Sequence, residues 1–244
     1  QVNSNNLRTK GYELVLGWRD SFKLAGSTFS YGITGSFSDY TAKYTKCDNP
    51  SGLIGDPYVG KKYGEIWGYK VDGLFRTDEE AAEYASRIDL STVAAGYYSA
   101  TGAYGKGVRA GDIKYLDLNG DNIVNGGKGT LEDPGDRRVI GNSSPRYQYG
   151  LTLNLSWYGF DLSVFMQGIG RLDWYPGADN LRFWGPYSRP YATFIPKNFM
   201  SRVWSESNPD AYFPRARAYT SLNSTQGTAY YTNDRYLQNL AYCR

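Results

Sequence analysis

The stretch YQYGLTLNLSW, residues 147–157, decides the fold. Tyr147, Tyr149, Leu151, Leu153, Leu155 and Trp157 fall on one parity. Gln148, Gly150, Thr152, Asn154 and Ser156 fall on the other. Successive strand residues point to opposite faces, so this period of two predicts a β-strand with one apolar and one polar face. A tight turn at Tyr158 and Gly159 follows, and FDLSVFMQG continues the pattern. Phe160, Leu162, Val164 and Met166 share one parity. Asp161, Ser163 and Gln167 share the other, with Phe165 as the exception.

An earlier pair has the same design. GYELVLGW places Tyr12, Leu14, Leu16 and Trp18 together, and FSYGITGSFSDY places Phe29, Tyr31, Ile33 and Phe37 together, with a turn expected across 19–27. Strands are expected at about 10–18, 28–40, 146–157, 159–168 and 235–244. Two long connections span about 41–145 and 170–233. Globular strands average about 5–6 residues, whereas lipid-spanning strands need about 9–11. Aromatic residues gather at both short turns (Trp18, Phe22 and Phe29; Trp157, Tyr158 and Phe160), as at a membrane interface. Short turns at one end and long loops at the other suit an outer-membrane barrel. Loops that long argue against a compact soluble domain. The fold class expected is all-β, a transmembrane antiparallel β-barrel segment with long extracellular loops. The rival is a β-sandwich with one wet face.

Composition agrees with strands and turns. Among 244 residues are 24 Tyr and 29 Gly; 41% are hydrophobic, 16% are aromatic, and net charge is +3. Mean hydropathy is −0.56. The charges form no basic block, which speaks against nucleic acid. With no His, the usual general base, His-ligated metals and Ser-His-Asp triads are excluded. Cys47 and Cys243 lie almost a chain apart, and their pairing is left open. No run approaches the ~20 apolar residues of a spanning helix, which leaves barrel strands unaffected. The opening QVNSNNLRTKGYELVLGW has no signal-peptide pattern and reads as cut from a longer chain. Within the first long connection, 77–89 reads as a surface helix capped by Thr77 with Glu80 completing a capping box. EIWGYKVDGLF before it reads as a weak strand.

Residues 117–136, DLNGDNIVNGGKGTLEDPGD, begin like a calcium loop. Asp117, Asn119 and Asp121 offer oxygens at positions one, three and five. Ile123 offers its carbonyl at seven and Asn125 an amide oxygen at nine. Position six is Asn122, which tolerates a left-handed backbone, and position twelve is Lys128, which cannot ligate a cation. A metal-free Asx-rich turn is the competing reading.

GDIKYLDLNGD, DRRVIGNSSPRYQYGLTLNLSWYGFDLSVFMQGIG and SRVWSESNPDAYFPRA occur in that order. With NLRTKGYELVLGW and VGKKYGEIWGYKVDGLFRTDEEAAEY, they resemble the C-terminal part of SusC/RagA-type TonB-dependent outer-membrane transporters of Bacteroidetes. The resemblance covers nearly the whole chain. It implies a 22-stranded barrel with an N-terminal plug. It implies uptake of oligosaccharides or peptides, a SusD-like surface lipoprotein as lid, and drive from the TonB complex. The plug, the TonB-contacting segment and most strands are absent here, so a partial barrel with two unpaired sheet edges is expected. The resemblance also implies that GGKGTLEDPG is an insertion and that Asp136, with Glu132 and Asp133 as rivals, closes a structural calcium site.

The segment DWYPGADNLRFWGPYSRPYATF is dense in Trp174, Tyr175, Phe183, Trp184, Tyr187 and Tyr191. Such rings either stack on sugars and meet the lid, or pack a long loop. Adjacent carboxylates such as Glu79 with Glu80 do not span the ~5–9.5 Å that glycoside hydrolysis requires. No phosphate loop, nucleophile elbow or cysteine cluster is evident, so no enzyme is expected. The alternative carried forward is a secreted calcium-dependent carbohydrate-binding β-sandwich module.

Overall fold

The structure, a computed structural model, describes residues 5–94, 107–177, 180–187, 195–216 and 231–244. It is mostly β. Four long strands dominate: β1 (Asn6–Leu24), β2 (Ser27–Lys46), β7 (Arg146–Trp157) and β8 (Phe160–Arg171). They form one antiparallel sheet in the order β1-β2-β7-β8, extended by the short β11 (Tyr242–Cys243). At about 3.3 Å per residue, the 19 residues of β1 reach roughly 60 Å.

Both hairpins close through two-residue turns. Ala25 and Gly26 have φ of 47° and 84°; Tyr158 and Gly159 have 51° and 78°. Positive φ at both central residues is the turn whose twist matches a hairpin, and glycine at the second position adopts it without strain. The turns lie side by side. Trp157 Nε1 donates to the Leu24 carbonyl at 3.3 Å, and the Tyr158 hydroxyl donates to the Ala25 carbonyl.

Register carries the alternation across the sheet. Leu16 pairs with Gly35, which pairs with Leu151, which pairs with Met166. Trp18, Ile33, Leu153 and Val164 form the next apolar row on that face. The opposite face carries Gly17, Thr34, Thr152 and Phe165, then Val15, Ser36, Gly150 and Gln167. No second layer covers either face among the described residues. Leu14, Leu16, Trp18, Leu162 and Phe160 are all exposed, the last at 81%.

The turn expected across 19–27 is shorter than that. Asp20 interrupts the apolar parity, yet it still pairs with Tyr31, and the strand runs on to Leu24. The strand expected at 235–244 is also corrected. Asn233 caps a 3-10 turn at Asp234–Tyr236, its side chain accepting from Tyr236 N–H, and Tyr236 is drawn wholly into a core. Only β10 (Gln238–Asn239) and β11 remain as strands there.

The core lies among the long connections. Tyr69, Phe75, Leu90, Val124, Trp184, Phe199, Phe213 and Tyr236 belong to one buried cluster to which the five-stranded sheet contributes nothing. Three two-stranded pairs frame it: β3 (Glu65–Gly68) with β6 (Arg138–Asn142), β4 (Val71–Leu74) with β5 (Ile113–Tyr115), and β9 (Asp173–Trp174) with β10. Helix α1 (Asp78–Arg87) adds a lid of one face, burying Ala81. Thr77 caps it by accepting from Glu80 N–H at 3.1 Å. The Glu80 carboxylate reaches back to Arg76 N–H at 2.7 Å rather than to the cap residue.

This assembly sits on the end of the sheet away from the two turns. Tyr63 N–H donates to the Ala42 carbonyl and Tyr44 N–H to the Lys61 carbonyl, adding a short segment beside β2. Asp39, at 7% exposure, takes a bidentate pair of 2.5 Å bonds from Arg146, fixing where β7 leaves the assembly. Cys47 and Cys243 are both free.

Candidate functional site

Two candidate sites lie in the loop assembly, and the geometry treats them differently. The first is the 117–136 loop. β5 ends just before it, and β6 begins just after it. Asp117, Asn119 and Asp121 of its exposed arm each bond a local N–H. Asp117 accepts from Gly120 at 2.7 Å and Asn122 at 2.9 Å. Asn119 accepts from Asp121 at 3.1 Å, and Asp121 accepts from Ile123 at 2.8 Å. Asn122 takes φ of 64°, the left-handed turn that glycine more often supplies. Asn125 accepts from Gly127 N–H at 2.6 Å.

Asp136 is brought to the same loop, but from its buried side. It is fully buried. One carboxylate oxygen accepts from Leu118 at 2.7 Å and Asn119 at 3.3 Å, and the other from Asn125 at 2.9 Å. A buried carboxylate is tolerated only when so satisfied. Its oxygens therefore face backbone donors instead of closing a cage with Asp117 and Asp121, which corrects the role expected for it. Among the described residues, no three Asp, Glu, Cys or His side chains are gathered as metal ligands. Of the rivals, Glu132 is exposed, and Asp133 accepts from Lys128 N–H at 3.2 Å. The 126–135 stretch pairs with the 52–54 segment, Leu131 N–H donating to the Gly52 carbonyl and Ile54 N–H to the Gly129 carbonyl. The donor set fits a hard cation in part: Asp117, Asn119, Asp121 and the Ile123 carbonyl on the exposed arm, without Asp136.

The second candidate is the aromatic segment. Trp184, in the short helix α2 (Leu181–Trp184), is wholly buried, and its indole N–H donates to the Gly177 and Pro176 carbonyls at 3.0 and 3.3 Å. Tyr187 is also buried; it stacks on Phe213, and its hydroxyl donates to the Pro214 carbonyl at 2.6 Å. Neither ring has a face left for a sugar or a lid, so both are core residues, which corrects the contact role expected of them. Tyr175 packs against the same cluster. Tyr191 lies outside the described residues. Among the described residues of the set, Trp174 alone presents an appreciable surface, at 37% exposure.

Sequence reasoning missed the partners of these rings. Phe183 meets Trp184, Phe213 and Tyr236 edge-on at 4.6, 5.7 and 6.4 Å. Arg235 threads below, donating to the carbonyls of Ala211 and Tyr212. Residues so distant in sequence leave no local period to read.

The electrostatics are those of a packed frame. Burial pushes Tyr69 up to about 12, and burial likewise raises Tyr115, Tyr187 and Tyr236 far above the ordinary phenol range. Lys114 bridges Glu80 at 2.9 Å and Asp72 at 3.2 Å, and the Glu80 hydrogen bond raises its pKa. Desolvation pushes Glu80 upward, but the Arg76 N–H and Lys114 together hold it below its ordinary value. No protein-family model and no curated protein matches this sequence.

Proposed function

We propose that this chain forms part of the wall and extracellular loops of a plugged outer-membrane barrel of the SusC/RagA type. It would import oligosaccharides or peptides beneath a SusD-like lipoprotein lid, driven through TonB. One observation carries the reading: an apolar face in register over four strands, left uncovered while, among the described residues, the largest fully buried side chains sit in the long connections. Burying a large aliphatic or aromatic side chain is worth about 1.5–3 kcal/mol. Leaving Tyr12, Leu14, Leu16, Trp18, Phe22, Phe160 and Leu162 at 50–81% exposure forgoes a sum comparable to the whole 5–15 kcal/mol stability of an ordinary domain. Lipid restores that sum, and the polar opposite face then lines the lumen.

Dimensions support the same reading. The band from Tyr149 to Trp157 runs roughly 26 Å along its strand. At a tilt of about 40° it covers roughly 20 Å of height, and the rings at each end extend it toward the ~25 Å apolar band of a barrel. The outer edges of β1 and β11 would meet neighbouring strands of the same wall. A carbohydrate-binding sandwich would need a second sheet over Leu14 and Leu151, and nothing here favours it. Substrate or lid would meet Trp174 and the loop exteriors rather than Trp184 or Tyr187. Calcium, if bound, would join Asp117, Asn119 and Asp121 as a clip on a loop already held by its own N–H groups.

The test is lipid quenching on the full-length polypeptide in bilayers. Brominated acyl chains should quench Trp18 and Trp157, read in single-Trp variants, and spare Trp204. Equal quenching at all three, or a polypeptide that stays monomeric in plain buffer, refutes the barrel. Co-purification of a surface lipoprotein, and its loss when the loops are removed, tests the partner.

A further inference from the structure

Above the apolar band on the same sheet face, the register gathers cations. Arg8 lies directly opposite Lys43, and Lys43 lies opposite Lys62 in the short segment added beyond β2. One row lower, Lys10 faces Thr41. A further step of two along β1 reaches Tyr12, then Leu14, Leu16 and Trp18. A groove of about 680 Å³ is lined by Arg8, Lys10, Lys43, Lys62 and Arg146.

Arg146 is neutralised by Asp39. Among the described residues, none of the other four cations has an acidic partner within 4.0 Å. Like charges set directly opposite on a sheet repel, and adjacent strands are only about 4.8 Å apart. Three such residues abreast, roughly 10 Å across, match the width of a phosphate-bearing headgroup more closely than that of a single small ion.

We propose that this row holds the phosphate headgroup of an anionic membrane lipid. The lipid's acyl chains would lie on the face formed by Leu14, Leu16, Leu151 and Leu153. The inference rests on the membrane reading above and adds a site to it. Charge complementarity identifies the headgroup, and continuity of the cationic groove with the apolar rows through Tyr12 identifies its source as a lipid. Aromatic residues sit at the headgroup level of membrane proteins, where a basic cluster meets lipid phosphate.

The full-length polypeptide is placed in nanodiscs of phosphatidylcholine mixed with phosphatidic acid, and retained lipids are counted by native mass spectrometry. The expected result is roughly tenfold or greater enrichment of phosphatidic acid, since each cation near a surface favours an anionic lipid severalfold. Enrichment should fall to near unity in the combined Arg8→Gln, Lys43→Gln and Lys62→Gln variant. It should fall partway in Lys62→Gln alone, which guards against misfolding of the triple variant, and should persist in Arg19→Gln on the polar face. Undiminished enrichment in both variants overturns the site. Displacement of the retained lipid by an equal concentration of inorganic phosphate also overturns it, because the row would then be a free-anion site. Failure to enter the discs refutes the membrane reading and this inference together. Entry without enrichment refutes this inference alone.

Discussion

Substituting arginine along β7 would reveal what covers the apolar face. Leu153 is the centre of the band, with Tyr149 and Trp157 four residues to either side, or roughly 13 Å along the strand. It pairs with Ile33 and Val164, so no nearby cation or carboxylate offers relief. An arginine at the bilayer midplane of a barrel costs about 2–4 kcal/mol, falling to about 0–1 near the interfaces. Leu153→Arg should therefore lower the folded-to-unfolded equilibrium constant by roughly 30- to 1,000-fold in reversible urea unfolding of the lipid-reconstituted, full-length polypeptide. Leu151→Arg and Leu155→Arg should lose less, and Tyr149→Arg and Trp157→Arg least. Thr152→Arg, facing the lumen between Thr34 and Phe165, should lie near the wild type. A protein layer on that face would also penalise Leu153→Arg, but its cost would follow local packing rather than depth. Costs that fail to fall symmetrically from Leu153 would refute the lipid assignment, as would equal costs at Leu153 and Thr152.

Three further outcomes follow from the loops. Trp184→Ala should destabilise the assembly by about 3–5 kcal/mol and speed hydrogen exchange through Phe213 and Tyr236; unchanged exchange with selective loss of ligand would restore a contact role. Asp136→Ala should cost about 3 kcal/mol, because three part-buried N–H groups lose their charged acceptor. That loss should be the same with calcium or chelator, whereas Asp121→Ala should abolish any stabilisation that calcium adds; the reverse pattern in thermal melts would make Asp136 the ligand. Finally, the raised phenols of Tyr69, Tyr115, Tyr187 and Tyr236 hold their protons more tightly folded than unfolded. Their contribution is complete below about pH 10, the unfolded value, and drains away as pH rises beyond it. Lys114 acts in the same direction from 10.5, and Glu80 in the opposite one, its contribution fading only as pH falls below 4.5. Near-ultraviolet circular dichroism should show the loops melting in alkali before the sheet; simultaneous loss would refute this.

The strands were legible because Leu151, Leu153 and Leu155 repeat every second residue, a pattern that local sequence states outright. Strand ends were less legible. Asp20 breaks the apolar parity of β1, yet backbone pairing with Tyr31 carries the strand through it. Tyr236 shows the converse. Its surroundings alternate like a strand, but burial against Trp184 and Phe213 outweighs a local extended preference. Composition revealed that aromatic residues abound in the 170–187 segment and not whether they face in or out. Facing is set by Tyr212, Phe213 and Tyr236, far along the chain. The Asx arm was readable because each of its hydrogen bonds is local, whereas the inward turn of Asp136 depends on N–H groups eleven to eighteen residues away.

The bidentate grip of Arg146 on Asp39 bears on how the wall is made. β2 and β7 are neighbours in the sheet although about 100 residues separate the end of one from the start of the other. Closing a flexible loop of that length costs roughly 4 kcal/mol of chain entropy before any ladder bond forms. If the intervening assembly folds around its own aromatic core first, Asp39 and Arg146 emerge together, and the two strands zip as though joined by a hairpin. The loops would then act as a template for the wall's growth, and their sequence would be free to drift wherever the Asp39 clasp still delivers both ends in step.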